Sequence, residues 1–539
     1  MLKHFFFILL ISAYANAEIT LKELSSKPAC HAKDFLIWQY LKQDITQKQA
    51  EEAYAQATGK NYKLKRAYLK KNTSKELQYK QACKKRKDFF SIEDKECFKL
   101  ALSSYKTLAM SDKDRKRLEK KVDSPTFIEL LKIQSEPYSP ESYKKYSADT
   151  VLKMFIQTTA SHRRKNLNIK LDREFINYLA SSKKMSQFIK ITTRDKRLNN
   201  LQTSILNINP KNLSASSNFM LALHQLKFAN NEAAMKHLLI TYKESRHRID
   251  KDKASFWLYQ VSKEEKYLNQ LLLSTDINIY TLYAHEFMES DVDNYYSSLE
   301  LKNAATEEVD LENPFEWQAL HKQIRKTPKD ELFGLAAQYK HESMLPVQSL
   351  IIQRAYEYKM HGYIMPYEEY MKNVSNDDKA LVYAIMRQES AFVPSALSRS
   401  FALGLMQMMP FLVDAMSRDM KENITYDEMF KPETNLRYSL KHLEWMKKSL
   451  YHPLFMAYAY NGGMGFLRKH LRSGTFANEK HEPYLSMELM ANTQSREYGK
   501  RVLANYVMYK KILGEEISII RLFQTLTNPK HTDRFRKQS

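Results

Sequence analysis

The sequence predicts an all-α protein, because it is nearly free of glycine and carries apolar residues at helical spacing. Only 10 glycines occur in 539 residues, against a usual share of ~7%. Strands joined by tight turns need glycine for positive φ angles, so a chain this poor in glycine is expected to be helical. Just three of the glycines precede residue 400. The distribution predicts a long helical region followed by a compact domain with loops.

The region from about residue 20 to 300 has the pattern of paired helices. Phe35, Trp38, Leu41 and Ile45 recur three and four residues apart, which places them on one face of a helix. The segment 218–245 reads as two helices around a central Asn-Asn break. No fixed repeat length recurs, so we expect an irregular array that curves into a superhelix with a long inner surface.

Shifts in composition divide the chain. An acidic stretch that meets a proline, "ATEEVDLENPFEW", marks the end of the array, and glycines become frequent after residue 400. The predicted organisation is a signal peptide at 1–17, a superhelical domain at 18–305, a helical linker at 306–370, a compact domain at 371–525 and a basic tail at 526–539.

The N-terminus has the three parts of a secretory signal peptide. Lys3 and His4 form a basic start, residues 5–11 an apolar run, and 15–17 a small-x-small cleavage site. The apolar run is far shorter than the ~20 residues that a bilayer requires. A buried N-terminal helix is the alternative. We expect an exported protein that begins near Glu18 and has no stable membrane insertion.

Three cysteines lie near the predicted mature N-terminus. In an oxidising compartment two of them can pair. The spacing favours Cys83 with Cys97, since fourteen residues can close a helical hairpin, and a bond from Cys30 to either remains open. No CxxC motif or Cys/His cluster occurs, so neither a metal nor another cofactor is predicted.

The chain is strongly basic, with a formal net charge of +23. Basic residues are dense in the stretches 60–71 and 83–90. Such a surface is typical of nucleic-acid binding, but an exported protein meets anionic envelope polymers instead. Attraction to those polymers and ordinary solvated helix faces are both compatible with the charge.

The stretch "AIMRQESAF" contains the leading candidate for a catalytic group. With Asn376 or Asp377 as N-cap, the residues Leu381, Ile385 and Glu389 lie on one helical face. A carboxylate that continues an apolar stripe is either solvated at the helix end or desolvated with a raised pKa. Desolvation is what a general acid needs, because it must hold its proton near neutral pH.

Three later stretches accompany it. "ALGLMQMMPFLVDAM" combines a turn at Gly404 with a Met-rich, helix-like run that we expect to break at Pro410. "MAYAYNGGMGFLRKH" ends an apolar helix at Tyr460 and Asn461, followed by a glycine-rich loop. "MELMANTQSREYGKRV" leads into a Tyr-rich terminal helix.

These stretches resemble the motifs of the soluble lytic transglycosylases of the Slt type, in the goose-lysozyme-like superfamily. The first three recur in the order and at the spacing of the family, whereas the terminal one departs from the family's pattern. The resemblance covers roughly residues 376 to 513, and upstream only the gross plan agrees. It implies a U-shaped or ring-like superhelix followed by a compact lysozyme-like α-domain.

The resemblance also implies site residues, with Glu389 as the single catalytic acid and base. Each cleft position also has a purely structural interpretation. Ser398 can be a turn hydroxyl, Gln407 a surface amide and Met409 a core residue, and the last two positions before the glycines can simply end a helix. Where the family has a glutamate in the terminal segment, this chain has an amide, which can bind a sugar but carries no charge. The implied substrate-binding residues are Ser398, Gln407, Met409, Tyr460, Asn461 and Gln494.

The implied activity is periplasmic cleavage of the β-1,4 bond between N-acetylmuramic acid and N-acetylglucosamine, with formation of the 1,6-anhydro sugar and processing from chain ends. Expected partners are peptidoglycan strands with their stem peptides, and other cell-wall enzymes. A lysozyme-type muramidase is one alternative and needs a second carboxylate. A non-catalytic glycan-binding scaffold is another. Candidate second carboxylates, none in a convincing motif, are Asp414, Asp419, Glu422, Asp427 and Glu488.

Overall fold

The computed structural model describes residues 18–59, 61–72, 74–301 and 309–536. The predicted signal peptide lies outside these ranges. No helix within them is both long and apolar enough to cross a membrane.

Helices account for almost all regular structure in the described residues, as predicted. The sheet found there is one parallel pair of two-residue strands, Tyr295–Tyr296 and His361–Gly362. The prediction of an all-α fold, with a long helical array before a compact helical domain, is confirmed.

The helical array runs from residue 21 to 287 as short helices. Most begin at a Ser, Thr, Asn or Asp whose side chain accepts a hydrogen bond from a backbone N–H in the first turn. The α-helices are Leu21–Ser26, His31–Tyr40, Gln47–Ala55, Tyr62–Lys71, Lys75–Lys85, Lys95–Ala101, Ser104–Thr107, Asp112–Glu119, Pro125–Gln134, Pro140–Tyr143, Ala148–Gln157, Ala160–Asn166, Arg173–Leu179, Met185–Arg194, Asn199–Ser204, Ala215–Lys227, Asn231–Glu244, Arg248–Ser262, Lys266–Leu272 and Ile279–Phe287. Two 3₁₀ turns, Ile205–Asn207 and Pro210–Asn212, lie between them.

Local signals account for several of these boundaries. The predicted break at Asn230 is present, where its side chain accepts from the backbone N–H of Ala233 at 3.2 Å and starts the second helix. The helix that contains Trp38 ends at Tyr40, earlier than its apolar spacing suggested. Thr46 then starts a new helix through a capping box with Gln49, and such a cap determines a helix start more strongly than periodicity does.

A disulfide joins Cys83 and Cys97, the pairing that the spacing favoured, while Cys30 is free. It links the helices Lys75–Lys85 and Lys95–Ala101 and lies among buried apolar side chains that include Phe89. The bond therefore closes a small core of its own in the most basic part of the array.

After residue 309 the chain forms a linker and then a C-terminal bundle. The linker contains the α-helices Pro314–Lys326, Leu332–Ala337 and Leu345–Ala355 and the 3₁₀ turns Lys329–Glu331, Glu342–Met344 and Glu368–Met371. The bundle contains Asn376–Glu389, Pro410–Met420, Pro432–Lys447, Pro453–Gly462, Met464–Leu471, Tyr484–Leu489, Thr493–Ile512, Ile519–Thr525 and Pro529–Thr532, with a 3₁₀ turn at Asp427–Phe430. We call Asn376–Glu389 the acid helix and Thr493–Ile512 the tyrosine helix.

The tyrosine helix packs in the middle of the bundle, against the acid helix and the helix Pro453–Gly462. Gly499 makes the second contact possible, because a Cβ there would lie 2.2 Å from Cδ1 of Tyr458. Both helices are thus held by a fully buried apolar core, which fixes the position of the side chains that they carry.

Both ends of the array pack on the bundle. At the start, the rings of Phe35 and Trp38 lie 5.3 and 5.4 Å from the ring of Phe401. At the other end, the ring of Phe256 lies 5.0 Å from that of Tyr484. Both the first and the last helices of the array therefore contact the bundle.

The last described residues also lie against the bundle. Leu526 and Asp533 are buried, and Arg536 donates to the carbonyl oxygen of Phe476 at 2.9 Å. These contacts pack residues 526–536, part of the predicted basic tail, into the bundle.

Candidate active site

The acid helix places Glu389 at its last turn. Ser375 caps this helix by accepting from the N–H of Asp378 at 3.3 Å, so the predicted caps, Asn376 and Asp377, are one or two residues too late. Serine is a strong cap and its side chain reaches the third residue of the helix. Past Glu389, the positive φ angles of two residues, 50° and 68°, end the helix abruptly.

The Glu389 carboxyl is half-buried and its proton is tightly held. Burial raises its pKa to about 7, and the hydroxyl of Tyr498 opposes this effect only in part. Among the described residues, no charged group shifts this pKa. Glu389 therefore has the raised pKa that a general acid requires at neutral pH.

Two phenols face this carboxyl. Burial raises the pKa of Tyr498 and of Tyr460, and the negative charge of Glu389 raises both further. Tyr460 donates to the carbonyl oxygen of Met406 at 2.7 Å. The buried hydroxyl of Tyr498 makes no hydrogen bond of ordinary geometry among the described residues, but it lies close enough to the Glu389 carboxyl to lower the pKa of that group.

A folded loop, residues 396–409, forms the adjacent wall. Leu403 pairs with Leu397 and with Met408 in short antiparallel bridges, and the helix starts at Pro410. The expectation of a helix-like run broken at Pro410 was wrong. Proline has no N–H to donate, so it suits the first position of a helix.

Asn435 holds this loop together from a fully buried position. Its side-chain Nδ2 donates to the carbonyl oxygens of Leu403 and Met429 at 3.1 and 2.7 Å, and its Oδ1 accepts from the N–H of Met406 at 3.0 Å. Gly404 lies against this amide with φ at +72°. The loop is therefore fixed by one distant side chain.

The predicted loop residues have mostly structural contacts. The Ser398 hydroxyl accepts from the N–H groups of Ser400 and Ala402 at 3.2 and 2.9 Å, as a turn hydroxyl does. Gln407 donates from Nε2 to two backbone carbonyls, at 2.8 and 2.9 Å, which leaves its Oε1 available to a ligand. Met409 is half-buried at the start of the next helix.

Asn461 follows Tyr460 in the helix Pro453–Gly462, and its Oδ1 accepts from the Ser495 hydroxyl at 3.0 Å. The next helix begins at once, because Gly463, with φ at +86°, forms a one-residue junction. The expected glycine-rich loop is therefore absent, since Met464–Leu471 is helical. Gln494 is exposed, and no hydrogen bond ties its side chain to the described residues around Glu389.

The candidate second carboxylates either form ion pairs or hydrogen bonds with other residues or are exposed to solvent. Glu488 is buried and pairs with Lys500 at 3.0 Å. Glu422 pairs with Arg437, and Asp414 accepts from the Tyr426 hydroxyl at 2.9 Å. The remaining candidates, Asp419 and Asp427, are exposed.

Tyr498 is the site residue that the sequence interpretation missed. It lies in the second turn of the tyrosine helix, a segment in which only Gln494 was predicted to be a site residue. A signal for it existed in the sequence, because the stretch "MELMANTQSREYGKRV", which resembles the family's terminal motif, keeps the tyrosine of that motif at Tyr498.

A row of aromatic side chains leads from the site to the surface. The ring of His442 lies 5.9 Å from that of Tyr460 and stacks at 5.6 Å on the ring of Trp445. Trp445 is 48% exposed. Three neighbouring rings thus connect the site to the surface, and aromatic rings are surfaces that suit the apolar faces of sugars.

Residues 366–482 match the model of the family described as the Transglycosylase SLT domain. Glu389, Tyr460 and the loop 396–409 lie inside this match, and Tyr498 follows it.

Two curated relatives agree with this match. Over 214 residues the chain is 26% identical to the soluble lytic murein transglycosylase of Escherichia coli (strain K12), which covers 38% of this chain and 32% of that protein. It is 29% identical over 177 residues to a putative soluble lytic murein transglycosylase of Haemophilus influenzae, which covers 31% of this chain and 29% of the relative. The matched region is thus under a third of the length of each relative.

A solved structure extends the likeness to the whole fold. The lytic transglycosylase Slt from Pseudomonas aeruginosa, in an inactive mutant form, superposes with a TM-score of 0.52 at 15% identity and covers 91% of this chain and 83% of that one. At this identity the likeness shows the fold alone. Residues 366–482 thus match the transglycosylase SLT domain, and the chain as a whole has the fold of the lytic transglycosylase Slt.

Proposed function

We propose that the protein is a lytic transglycosylase that cleaves the β-1,4 bond between N-acetylmuramic acid and N-acetylglucosamine in peptidoglycan. The observation that carries this proposal is the isolated Glu389, whose pKa burial raises to about 7. The SLT domain match and the names of the relatives support the same activity. In this proposal residues 18–305 are a superhelical domain, 306–370 a linker and 371–525 the catalytic domain.

The reaction needs one group that acts first as an acid and then as a base. Protonated Glu389 gives its proton to the glycosidic oxygen as the bond to C1 of the muramic acid breaks. The 2-acetamido group of the substrate stabilises the positive charge that develops at C1. The Glu389 carboxylate then takes the proton of the C6 hydroxyl while O6 bonds to C1, which closes the 1,6-anhydro ring and regenerates the acid.

Tyr498 and Tyr460 assist without transferring the proton. Both have pKa values above the ordinary phenol range, so both stay protonated at neutral pH. The Tyr498 hydroxyl can donate to the Glu389 carboxylate when it forms, and this stabilises the charged intermediate of the cycle. The half-buried setting also limits water, and this favours ring closure over hydrolysis.

We further propose that Gln407 and Asn461 bind the sugar, with Ser398 and Met409 shaping the same wall of the cleft. Gln407 has an unoccupied Oε1, and Asn461 adjoins Tyr460. Gln494 contributes, in this proposal, as an uncharged hydrogen-bonding group at the outer rim.

The location and the mode of attack are proposals as well. The N-terminal sequence supports a cleaved signal peptide and a periplasmic protein, and the curved array supports processing from strand ends. Stem peptides and other cell-wall enzymes are the expected further partners.

Digestion of purified sacculi by the wild-type protein and by Glu389→Gln, with mass spectrometry of the products, tests the activity. We expect 1,6-anhydro products from the wild type and a loss of turnover of at least a thousandfold in the variant, with glycan binding retained. Products that end in reducing muramic acid would instead identify a lysozyme-type hydrolase. A folded wild-type protein that releases nothing would favour the glycan-binding scaffold.

A further inference from the structure

A cavity separate from the proposed active site lies between the array and the bundle. Its volume is about 790 Å³, within the range of sites that hold small ligands. The array contributes the helices that end at Arg194 and Glu244 and the start of the helix Ile279–Phe287. The bundle contributes the end of the acid helix and the first turns of the tyrosine helix. Glu389 itself is not part of the wall.

The wall carries an excess of positive charge. Two of its acidic residues are neutralised within the wall, because Asp250 pairs with Lys253 at 2.9 Å and Glu497 pairs with Arg496 and Lys500. Glu244 and Asp276 are the other acids. Five cations of the wall form no ion pair with a described residue, namely Lys190, Arg194, Arg246, Arg387 and Arg501.

Two of these guanidinium groups are held without a compensating carboxylate. Arg387 is fixed by the carbonyl oxygen of Gly362 and by Oδ1 of Asn505, both at 2.8 Å. The Nε of Arg194 is buried and has no acceptor among the described residues. Burial and the charge of Arg496 lower the pKa of Arg194, so like charges repel each other within the cavity wall. An anion would relieve this repulsion and supply the missing acceptor.

The unpaired cations lie on both walls. Lys190, Arg194 and Arg246 belong to the array, whereas Arg387 and Arg501 belong to the bundle. The cavity is much larger than one carboxylate or phosphate group. We propose that it binds a small ligand with an oxyanion group at each end, carboxylate or phosphate, one end held by the array and the other by the bundle.

Such a ligand would contact the two helices of the active site on their opposite faces. Arg387 and Gln388 line the cavity and immediately precede Glu389 in the acid helix. In the tyrosine helix, Glu497 and Arg501 line the cavity, whereas Tyr498 faces Glu389. Occupation of the cavity therefore fixes these two helices relative to the array.

Isothermal titration calorimetry on the full chain tests the site with two probes, tripolyphosphate and the peptide acetyl-Glu-Ala-Ala-Glu. The neutral peptide acetyl-Gln-Ala-Ala-Gln amide is the matched control ligand. We expect saturable binding of at least one anionic probe, weakened by added salt, and none of the neutral peptide. Binding of the phosphate alone, of the peptide alone or of both identifies which source of oxyanions the cavity accepts.

The variants Arg246→Gln and Arg501→Gln each remove one cation, from the array wall and the bundle wall respectively. We expect each to weaken binding by up to about fivefold, the upper end of the range for an exposed charge pair, and the double variant to weaken it further. Lys243→Gln is the matched control, because Lys243 is exposed in the last turn of the helix Asn231–Glu244, three residues before Arg246, and lies outside the cavity wall. It should bind as the wild type does.

Two outcomes overturn the proposal. One is the absence of saturable binding of both anionic probes at millimolar concentration. The other is an equal affinity of the cavity variants and Lys243→Gln, which would show binding to the general basic surface. Glu389→Gln should bind the probes with the affinity of the wild type. The measurement does not depend on turnover, so its outcome is independent of whether the proposed function is correct.

Discussion

At Glu389, burial and one phenol act in opposite directions on the same carboxyl. Burial disfavours the carboxylate and raises the pKa, whereas the Tyr498 hydroxyl favours the carboxylate and lowers it. An acid that must later act as a base needs both influences. The balance between them fixes the pH range in which the residue can do both.

The pH dependence of turnover should therefore show Glu389 as a required acid. With a pKa of about 7, kcat/KM is expected to lose activity tenfold per pH unit above that value. In Tyr498→Phe the donor to the carboxylate is gone, so the pKa rises and the falling limb moves to higher pH. Initial rates on sacculi across pH 5 to 9 measure both profiles. A limb that stays in place, or moves to lower pH, would contradict the assigned role of Tyr498.

The same pKa predicts how stability depends on pH. The ordinary glutamate value is 4.5, so the native state binds more protons than the unfolded state between about pH 4.5 and 7, and stability falls as pH rises through that window. Glu389→Gln removes this loss and should stabilise the protein by about 3 kcal/mol at pH 8, and hardly at all at pH 4. Urea denaturation of both proteins at the two pH values measures the difference. Equal gains at both pH values would show that ionisation is not the cause.

At the scale of elements, the loop 396–409 depends on contacts remote in sequence. Its Met-rich composition resembles a helix, but Gln407 adopts a φ of +49°, and Asn435 satisfies backbone groups that a helix would have paired internally. The amide works because Gly404 has no Cβ. An Asn amide that bonds to three backbone groups thus outweighs the helical preference of the loop.

Gly404→Ala should be much more harmful than an alanine at a glycine with similar backbone. A Cβ at Gly404 would lie 2.1 Å from Nδ2 of Asn435 and 2.2 Å from the carbonyl oxygen of Met429, whereas Gly474, with φ at +78°, has open space around it. We expect Gly474→Ala to cost about 1 kcal/mol from its φ angle, and Gly404→Ala to cost several times more and to abolish activity. Thermal unfolding and sacculus digestion of the pair measure this. Similar losses in both would remove the steric argument.

How far the sequence predicted this structure depends on how local each signal was. The break at Asn230 and the place of Glu389 at a helix end followed from caps and apolar spacing, which act within a few residues. The loop 396–409 and the role of Tyr498 could not be read this way. The loop is shaped by Asn435, and Tyr498 lies on a helix whose close contact with the helix Pro453–Gly462 requires Gly499. Such tertiary contacts leave no periodic trace.

At the scale of the whole molecule, a buried charged cluster joins the array to the bundle. Tyr280, in the last array helix, donates to Glu488, and Lys500 donates to the Tyr280 hydroxyl at 3.1 Å. Lys500 also pairs with Glu488 and Glu497, each at 3.0 Å. Since Lys500 and Glu488 are almost fully buried, each carboxylate depends on this cation for its stability.

Lys500→Met should therefore destabilise the folded chain by about 3–5 kcal/mol, the cost of leaving a buried charge unpaired. Chemical denaturation followed by circular dichroism measures the change. Lys236→Met, which breaks the exposed pair with Glu232, is the matched control and should leave the transition essentially unchanged. A small effect at Lys500 would mean that the cluster is solvated and does not join the two parts.

The packing of the first helices on the loop 396–409 also determines when this part of the protein can fold during synthesis. His31 and Ser398 are hydrogen-bonded at 2.8 Å although 367 residues separate them. Phe35 and Trp38 leave the ribosome early, and the ring of Phe401 that covers them follows only after most of the chain. Uncovered apolar side chains of this kind promote aggregation. We therefore expect the nascent chain to require a chaperone until Phe401 has been synthesised. The site around Glu389 is then expected to form only after the first helices have packed on the loop 396–409.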